Sequence, residues 1–454
     1  MENVEPVTDL TPKEIVDYLN GYIIGQYDAK KKIAITYWAQ QKRLVVTPKE
    51  IQSEITPKNI LMIGPTGTGK TEMVRRLANL IGAPLIKVEA TRFTEVGYVG
   101  RDVDSIIRDL LEQGLSIERM KMIERVTPAA QNLARKKVLD ALLSNPTFVK
   151  SQHLGEGSLP TTAVRNRLME LLVDGEFDDF IIEIDIRPQQ QTFDFSPPAG
   201  LEELASQIGN FMQGFSSERK MTKKTMPVKK ALKNLEESEV FESLNDDLIR
   251  EGAIKNVELK GIVILDEIDK IISSGSGNGT ANVSREGVQR DLITLVEGSV
   301  ISTKHGMVNS RNILFIALGA FHLNKPSEMI PELQGRFPVT VNLKDLTEND
   351  LFHILSDPKS SLIKQYTALY ATEKIELVFL KEGIKQLASV AWRLNESGEN
   401  IGARRLHTIM EHLLSDIAFN VKDFRGKTIR ITKKYVIKNL SGMVKEEDLG
   451  RYIL

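Results

Sequence analysis

The sequence predicts an α/β protein in which a domain with a parallel sheet and a phosphate-binding loop is interrupted by a mostly helical insert and followed by a small α+β domain. Three observations lead to this prediction. A glycine-rich loop, residues 64–71, lies between an apolar strand and a helix. A second apolar strand, residues 261–265, ends in two carboxylates. These features are much farther apart than the roughly 30 residues of a βαβ unit, so a separate domain is inserted between them.

The glycine-rich loop, GPTGTGKT, matches the phosphate-binding pattern G-x-x-x-x-G-K-[ST]. Apolar residues at helical spacing follow it until Gly82 and Pro84 stop the helix. Backbone N–H groups of such a loop and the positive end of the helix dipole hold phosphate, Lys70 adds a charge and Thr71 ligates Mg²⁺. The alternative is a glycine turn without a ligand, against which the flanking strand and helix argue. The predicted nucleotide-binding residues here are Gly67, Thr68, Gly69, Lys70, Thr71 and Glu72.

The second strand, GIVILDE, is a continuous apolar run of the kind found in central parallel strands. Its last residues, Asp266 and Glu267, would face a nucleotide at the carboxyl end of the sheet. We expect Asp266 to bind Mg²⁺ through water and Glu267 to act as the general base that polarises the attacking water. The alternative is an ordinary strand followed by an acidic helix cap, and the phosphate-binding loop favours the catalytic interpretation.

Composition restricts the function classes. The chain has 454 residues, enough for roughly three domains of about 100–200 residues each. Its net charge of −1 provides no overall positive electrostatic potential that would attract nucleic acid or an anionic membrane. The absence of cysteine excludes disulfides, thiolate zinc sites and cysteine nucleophiles. Without a signal peptide or an apolar run near the ~20 residues that span a bilayer, we expect a cytoplasmic protein.

The domain organisation follows from the positions of the glycine-rich loop and of the strand that ends in two carboxylates. Residues 1–108 and 247–345 are predicted to form the large nucleotide-binding domain, 109–246 the insert and 346–454 the small domain. The insert carries a basic cluster at residues 219–224, which is more typical of a solvated helix face than of a nucleic-acid site because nearby glutamates offset its charge and aromatic partners are few. We therefore expect neither a nucleic-acid nor a membrane partner.

Four further segments have more than one interpretation from local sequence. Ile23 and Ile24 precede a glycine and could pack on an adenine ring. In the loop 97–100, GYVG, the residues alone favour a tyrosine buried in the core. Arg336 at a loop end is usually a surface ion-pair partner, although a ring ATPase needs a cation delivered from a neighbouring subunit. Arg404 at a helix start is unfavourable to the dipole and so predicts an anionic partner.

Taken together, these segments resemble the HslU (ClpY) family of AAA+ unfoldases, the ATPase partners of HslV-type peptidases, over essentially the whole chain. The related ClpX family usually carries a cysteine zinc domain, and this chain has no cysteine. The segments that carry the resemblance are Ile23-Ile24-Gly25-Gln26, the glycine-rich loop, Gly97-Tyr98-Val99-Gly100, the long insert, Leu265-Asp266-Glu267-Ile268-Asp269, Pro331-Glu332-Leu333-Gln334-Gly335-Arg336, Gly402-Ala403-Arg404-Arg405-Leu406-His407 and Arg451-Tyr452-Ile453-Leu454.

The resemblance implies roles for individual residues. Ile24 would contact adenine, Arg336 would be an arginine finger that reaches a neighbour's ATP, and Glu332 would lie near that intersubunit site. Arg404 would be the sensor-two arginine that couples nucleotide state to the small domain. The substrate-gripping pore loop would consist of Gly97, Tyr98, Val99 and Gly100, and the peptidase-docking tail of Tyr452, Ile453 and Leu454. Where the family tends to place a small polar residue that senses the γ-phosphate, this chain has Ala317, Leu318 and Gly319.

The implied function is a homo-hexameric protein unfoldase that depends on ATP and Mg²⁺ and feeds unfolded or tagged proteins into a separate HslV-type threonine peptidase ring. It would have no peptidase centre of its own. Two alternatives remain: an AAA+ motor that remodels nucleic acid, and a nucleotide-switched chaperone that works without a peptidase.

Overall fold

The computed structural model describes residues 10–93, 102–151, 162–186, 222–272 and 280–450, which form two compact units, one within 1–117 and 250–454 and the other within 118–249. The helices are α1 Pro12–Asn20, α2 Tyr27–Arg43, α3 Lys49–Glu54, α4 Lys70–Ile81, α5 Ser105–Leu143, α6 Pro146–Ser151, α7 Thr162–Val173, α8 Val228–Ser243, α9 Asp246–Lys260, α10 Thr280–Glu297, α11 Pro331–Gly335, α12 Glu348–Ser356, α13 Leu362–Ala371, α14 Lys381–Ser397, α15 Arg404–Phe419, α16 Val421–Phe424 and α17 Lys433–Gly450. The strands are β1 Ile60–Ile63, β2 Leu85–Glu89, β3 Ile181–Ile186, β4 Thr222–Pro227, β5 Ile262–Asp266, β6 Val300–Thr303, β7 Gly306–Asn309, β8 Leu314–Gly319, β9 Val339–Asn342, β10 Glu376–Phe379 and β11 Thr428–Ile431.

The first unit is built on a five-stranded sheet with the order β2-β5-β8-β1-β9. Every neighbouring pair in this sheet is parallel. The register sets Ile60 of β1 opposite Ile316 of β8, and Ile262 of β5 opposite Leu314 of β8. Because the strands are parallel, all their carboxyl ends lie at one edge, where ligands bind in α/β sheets. This sheet confirms the predicted α/β class.

The central strands are apolar throughout because both faces of the sheet are buried. On one face, residues such as Val263 and Phe315 pack with the beginning of α5, the end of α9 and α10. On the other face, residues such as Ile264 and Met62 pack with α1, α2 and α4. Alternation along each strand therefore divides one apolar run between two cores.

The small carboxyl-terminal domain has its own core. Helices α12, α14, α15 and α17 supply most of the buried side chains. An apolar stripe on α15, from Leu406 to Ile417, is buried in this core. Two short parallel strands, β10 and β11, complete the domain and confirm its predicted α+β character.

The second unit packs the carboxyl-terminal part of α5 with α6, α7 and α8 around a core that includes Phe148, Leu172 and Leu235. Its antiparallel strands β3 and β4 set Glu183 and Asp185 opposite Thr225 and Lys223. The basic cluster leads on to Lys229 and Lys230, for which the predicted solvated helix face is correct, since both are exposed on α8. The prediction is wrong for Thr222–Pro227, which is a strand. Pairing with the apolar strand β3 overrides its local composition.

Helix ends follow the local signals. Thr11 and Glu14 form a capping box at the start of α1, and Thr347 and Asp350 form another at the start of α12. Gly82 ends α4 in the left-handed conformation, as its position predicts. A search of the described residues finds no helix with the length and apolar character needed to cross a membrane.

Candidate functional site

A cleft at the carboxyl edge of the five-stranded sheet has a volume of about 1560 Å³. Its walls come from both the sheet domain and the small domain of the first unit. The segments that line it are the turn 22–24, the glycine-rich loop and the start of α4, the end of β5 with the following turn, residues 319–324 after β8, residues 358–362, and residues 399–407 at the start of α15.

The glycine-rich loop is held close to the small domain. A Cβ atom on Gly67 would approach the carbonyl oxygen of Ile401 to 2.0 Å, so only glycine fits there. A Cβ atom on Gly402 would lie 2.7 Å from the carbonyl oxygen of Thr66. The backbone N–H of Ala403 donates to the carbonyl of Gly67 at 3.1 Å. The loop and the start of α15 are therefore in direct backbone contact.

Lys70 begins helix α4 directly after Gly69, which adopts the left-handed conformation with φ of 94°. Its Nζ donates to the carbonyl oxygens of Gly64 and Pro65, the latter at 2.8 Å. Burial lowers the pKa of Lys70, while Asp266 and Asp269 act in the opposite direction and Arg404 adds to the lowering. The cleft thus brings two cations and two carboxylates within electrostatic range of one another, although they come from three different segments.

The two carboxylates at the end of β5 are each paired with a lysine. Asp266 Oδ2 lies 2.6 Å from Lys87 Nζ of the neighbouring strand β2, and its Oδ1 accepts from the backbone N–H of Glu267 at 3.0 Å. Glu267 Oε2 lies 2.8 Å from Lys270 Nζ. Glu267 itself has φ of 57°, in the left-handed region that non-glycine residues rarely occupy. Such strain is concentrated at functional sites and costs about 1–3 kcal/mol.

The turn between α1 and α2 supplies the apolar wall of the cleft through Ile23 and Ile24. Tyr22, also in the cleft wall, stacks under the guanidinium of Arg76 from α4, with 4.0 Å between Cζ and the ring centroid. An apolar segment beside the phosphate-binding loop is the arrangement expected for contact with a base. Ile24 therefore lines the same cleft as the glycine-rich loop, and its contact with adenine stays a prediction.

Arg404 is exposed and lines the cleft at the first position of α15. Within the parts of the chain that the structure describes, no carboxylate lies within ion-pair distance of it. A cation at a helix start is unfavourable to the dipole, so this position favours an anionic ligand. Leu318 is fully buried in the sheet and Gly319 lines the cleft, so β8 contributes no polar side chain between residues 317 and 319.

Glu332 and Arg336 do not line this cleft. Arg336 follows the short helix α11, and its guanidinium forms an ion pair with Glu297 at the end of α10. Its carbonyl oxygen accepts from the side-chain amide of Asn59 at 3.1 Å, which joins the loop to the start of β1. Glu332 is exposed on α11. A role for Arg336 at a nucleotide therefore requires a second subunit.

The structure brings most predicted site residues together. The cleft is lined by Ile24, Gly67, Thr68, Gly69, Lys70, Thr71, Glu72, Asp266, Glu267 and Arg404. The predicted pore loop, Gly97, Tyr98, Val99 and Gly100, and the predicted docking tail, Tyr452, Ile453 and Leu454, lie outside the described residues.

The donor set suits Mg²⁺ together with a nucleotide. Thr71 offers a hydroxyl oxygen and Asp266 a carboxylate, the hard oxygen ligands that Mg²⁺ prefers. Within the described ranges, no group of three or more His, Cys, Asp or Glu side chains is arranged to hold a metal ion unaided. Mg²⁺ is usually bound by one or two protein oxygens, several waters and substrate phosphates, so these two residues fit it in that mode.

Sequence reasoning missed the lysines that neutralise the two carboxylates. Lys270 follows Glu267 by three residues on one turn, a spacing that could have indicated the pair. Lys87 gave no such signal, because its contact with Asp266 depends on β2 lying beside β5 in the sheet. That strand order is a property of the tertiary fold.

Comparison with protein-family models gives two matches. The model for the ATPase family associated with various cellular activities (AAA) matches residues 60–156, which include the glycine-rich loop. The model for the AAA domain (Cdc48 subfamily) matches residues 189–340, which include Asp266, Glu267 and Arg336.

Proposed function

Because the chain combines the α/β AAA+ fold with these two matches, which support an ATP-hydrolysing chaperone or remodelling enzyme, we propose that it is a protein unfoldase of the HslU type. It uses ATP hydrolysis to unfold protein substrates and to move them through the pore of a hexameric ring into a separate HslV-type threonine peptidase. The observation that carries the proposal is the cleft itself, since it joins the phosphate loop and the carboxylates of the sheet to Arg404 of the small domain.

The chemistry of the site follows from its side chains. The loop N–H groups and Lys70 bind the β- and γ-phosphates of ATP, and Thr71 and Asp266 hold Mg²⁺, which neutralises phosphate charge when bound. Glu267 accepts a proton from the attacking water. Ile24 contacts the adenine ring. Two of the three donors of Lys70 Nζ are held by carbonyls of its own loop.

Coupling to movement rests on the backbone contact between the phosphate loop and the start of α15. Arg404 binds the γ-phosphate from the small-domain side. When the γ-phosphate leaves after hydrolysis, the small domain (residues 346–454) is released from the large one. Arg336, with Glu332 nearby, completes the site of the neighbouring subunit. The insert, residues 109–246, controls the access of substrates to the pore.

The decisive experiment is the degradation of a stably folded protein by the chain mixed with an HslV-type peptidase, ATP and Mg²⁺. Tyr98→Ala is expected to keep basal ATPase activity but to lose degradation of the folded substrate, because the aromatic side chain grips the polypeptide. An unfolded substrate serves as the control. Undiminished degradation of the folded protein by Tyr98→Ala would remove the pore-loop assignment, and ATPase stimulation by DNA instead of unfolded protein would favour a nucleic-acid motor.

Removal of residues 452–454 is expected to leave ATPase activity intact and to abolish activation of the peptidase, because the apolar tail docks between peptidase subunits. The measurement is hydrolysis of a short peptide by the peptidase ring with ATP present. If the truncated chain still activates the peptidase, the tail is not the docking element. A chain that unfolds proteins but activates no peptidase in full-length form would instead be a chaperone that works alone.

A further inference from the structure

A buried lysine lies next to the turn that carries Ile24. Lys30 is in the first turns of α2 and only 2% of it is exposed. Its Nζ donates to the carbonyl oxygen of Ile23 at 2.7 Å and to Oδ1 of Asn20 at 2.8 Å. These two acceptors lie on either side of the start of the turn, so one ammonium group joins the end of α1 to the cleft wall.

An ammonium group in this position is costly. Burial lowers the pKa of Lys30 to about 8, which shows that the surroundings disfavour its charge. Its neighbour Lys31 is exposed. An apolar residue of similar length would fill the same space without the desolvation cost. The hydrogen bonds of Lys30 to the turn are therefore the feature that distinguishes it from such a residue.

The turn itself needs an external restraint. Gly25 and Gln26 both adopt left-handed conformations, with φ of 62° and 53°. The far end of the turn is held by the Gln26 side chain, which exchanges two hydrogen bonds with the backbone of Lys344, at 2.7 and 3.0 Å. Near its beginning, the carbonyl of Gly21 accepts from the backbone N–H of Lys359 at 3.0 Å. Lys30 holds the segment between these two points, where Ile23 and Ile24 line the cleft.

We propose that Lys30 is a positioning residue for the base of the nucleotide: by fixing the carbonyl of Ile23 it holds the Ile23-Ile24 segment against the bound adenine. This inference rests on the nucleotide site proposed above and assigns Lys30 no contact with the ligand. It acts on the base end of the cleft and leaves the phosphate end, built from the glycine-rich loop, unchanged. Loss of the Lys30 ammonium group therefore weakens the binding of ligands that carry a base. The binding of ligands that consist of phosphate alone does not change.

The test compares ATP with inorganic tripolyphosphate as ligands of the full chain carrying Lys30→Met. Methionine keeps the length of the side chain and removes its donors. We expect ATP affinity to fall about tenfold, because the Ile23-Ile24 segment is no longer held in the position in which it contacts the base. KM for ATP should rise by a similar factor at unchanged kcat, and tripolyphosphate affinity should stay the same. Lys31→Met, which removes an exposed lysine from the same helix, is the matched control and should leave all four values unchanged.

Three results for Lys30→Met would overturn the proposal. They are an equal loss of affinity for ATP and for tripolyphosphate, a lower kcat at constant KM, and an unchanged affinity for ATP. If Lys30→Met does not fold, Asn20→Ala is the second variant, because it removes one of the two acceptors of Lys30 at an exposed residue. It should lower the affinity for ATP by a smaller factor and leave the affinity for tripolyphosphate unchanged. A wild-type chain that binds no ATP would refute the nucleotide site itself. A wild-type chain that binds ATP but unfolds no protein substrate would refute the proposed function and leave the role of Lys30 standing.

Discussion

Replacement of Arg336 by alanine is expected to lower ATP hydrolysis by about 10³-fold or more, the effect of removing an arginine finger. The physical reason is that its guanidinium stabilises negative charge that develops on the phosphate oxygens. In the single chain this group is paired with Glu297 and lies outside the cleft. The measurement is steady-state ATPase activity of the assembled protein, with its assembly state determined in parallel.

A mixing experiment shows whether Arg336 acts on a neighbouring subunit. Subunits with Arg336→Ala keep the phosphate loop, and subunits with Lys70→Ala keep the arginine. If the arginine acts on a neighbour, mixed rings contain complete sites and regain activity that neither variant has alone. Arg425→Ala is a matched control, because Arg425 forms a similar exposed ion pair with Glu373 in the small domain. A change below tenfold for Arg336→Ala would identify it as a structural cation.

Glu267→Gln is expected to lower ATP hydrolysis by about 10²- to 10⁴-fold, the usual contribution of a general base, while ATP binding and assembly are retained. The amide preserves the size of the side chain but cannot accept the proton from the attacking water. The measurement is the ATPase rate together with the equilibrium affinity for ATP. Weakened binding should not accompany the loss, because the role proposed for Glu267 is toward the attacking water and not toward the phosphates.

The control for Glu267→Gln must break the same kind of ion pair elsewhere. Glu118 lies 2.7 Å from Lys121 in the i,i+3 arrangement that Glu267 has with Lys270. Glu118→Gln should therefore leave the hydrolysis rate within the error of the wild type. Normal hydrolysis by Glu267→Gln would exclude it as the base and would direct attention to another carboxylate of the cleft.

Local sequence predicted the elements that carry the site because their signals are short-range. The stop at Gly82 and the apolar strand that ends in Asp266 depend on residues within a few positions of one another. The strand at Thr222–Pro227 is the opposite case. Its lysines suggest a solvated helix face, and only pairing with β3 makes it a strand.

The sequence by itself determined that this protein has a phosphate-binding loop and an acidic strand end, since both are written in consecutive residues. The tertiary structure decided what surrounds them. The order of strands places Lys87 beside Asp266, the small domain brings Gly402 and Arg404 to the loop, and the packing of α1 on α2 sets Lys30 under the carbonyl of Ile23. These contacts join residues that are far apart along the chain or lie on different helices, and they form only when apolar faces are buried together, which no local pattern encodes.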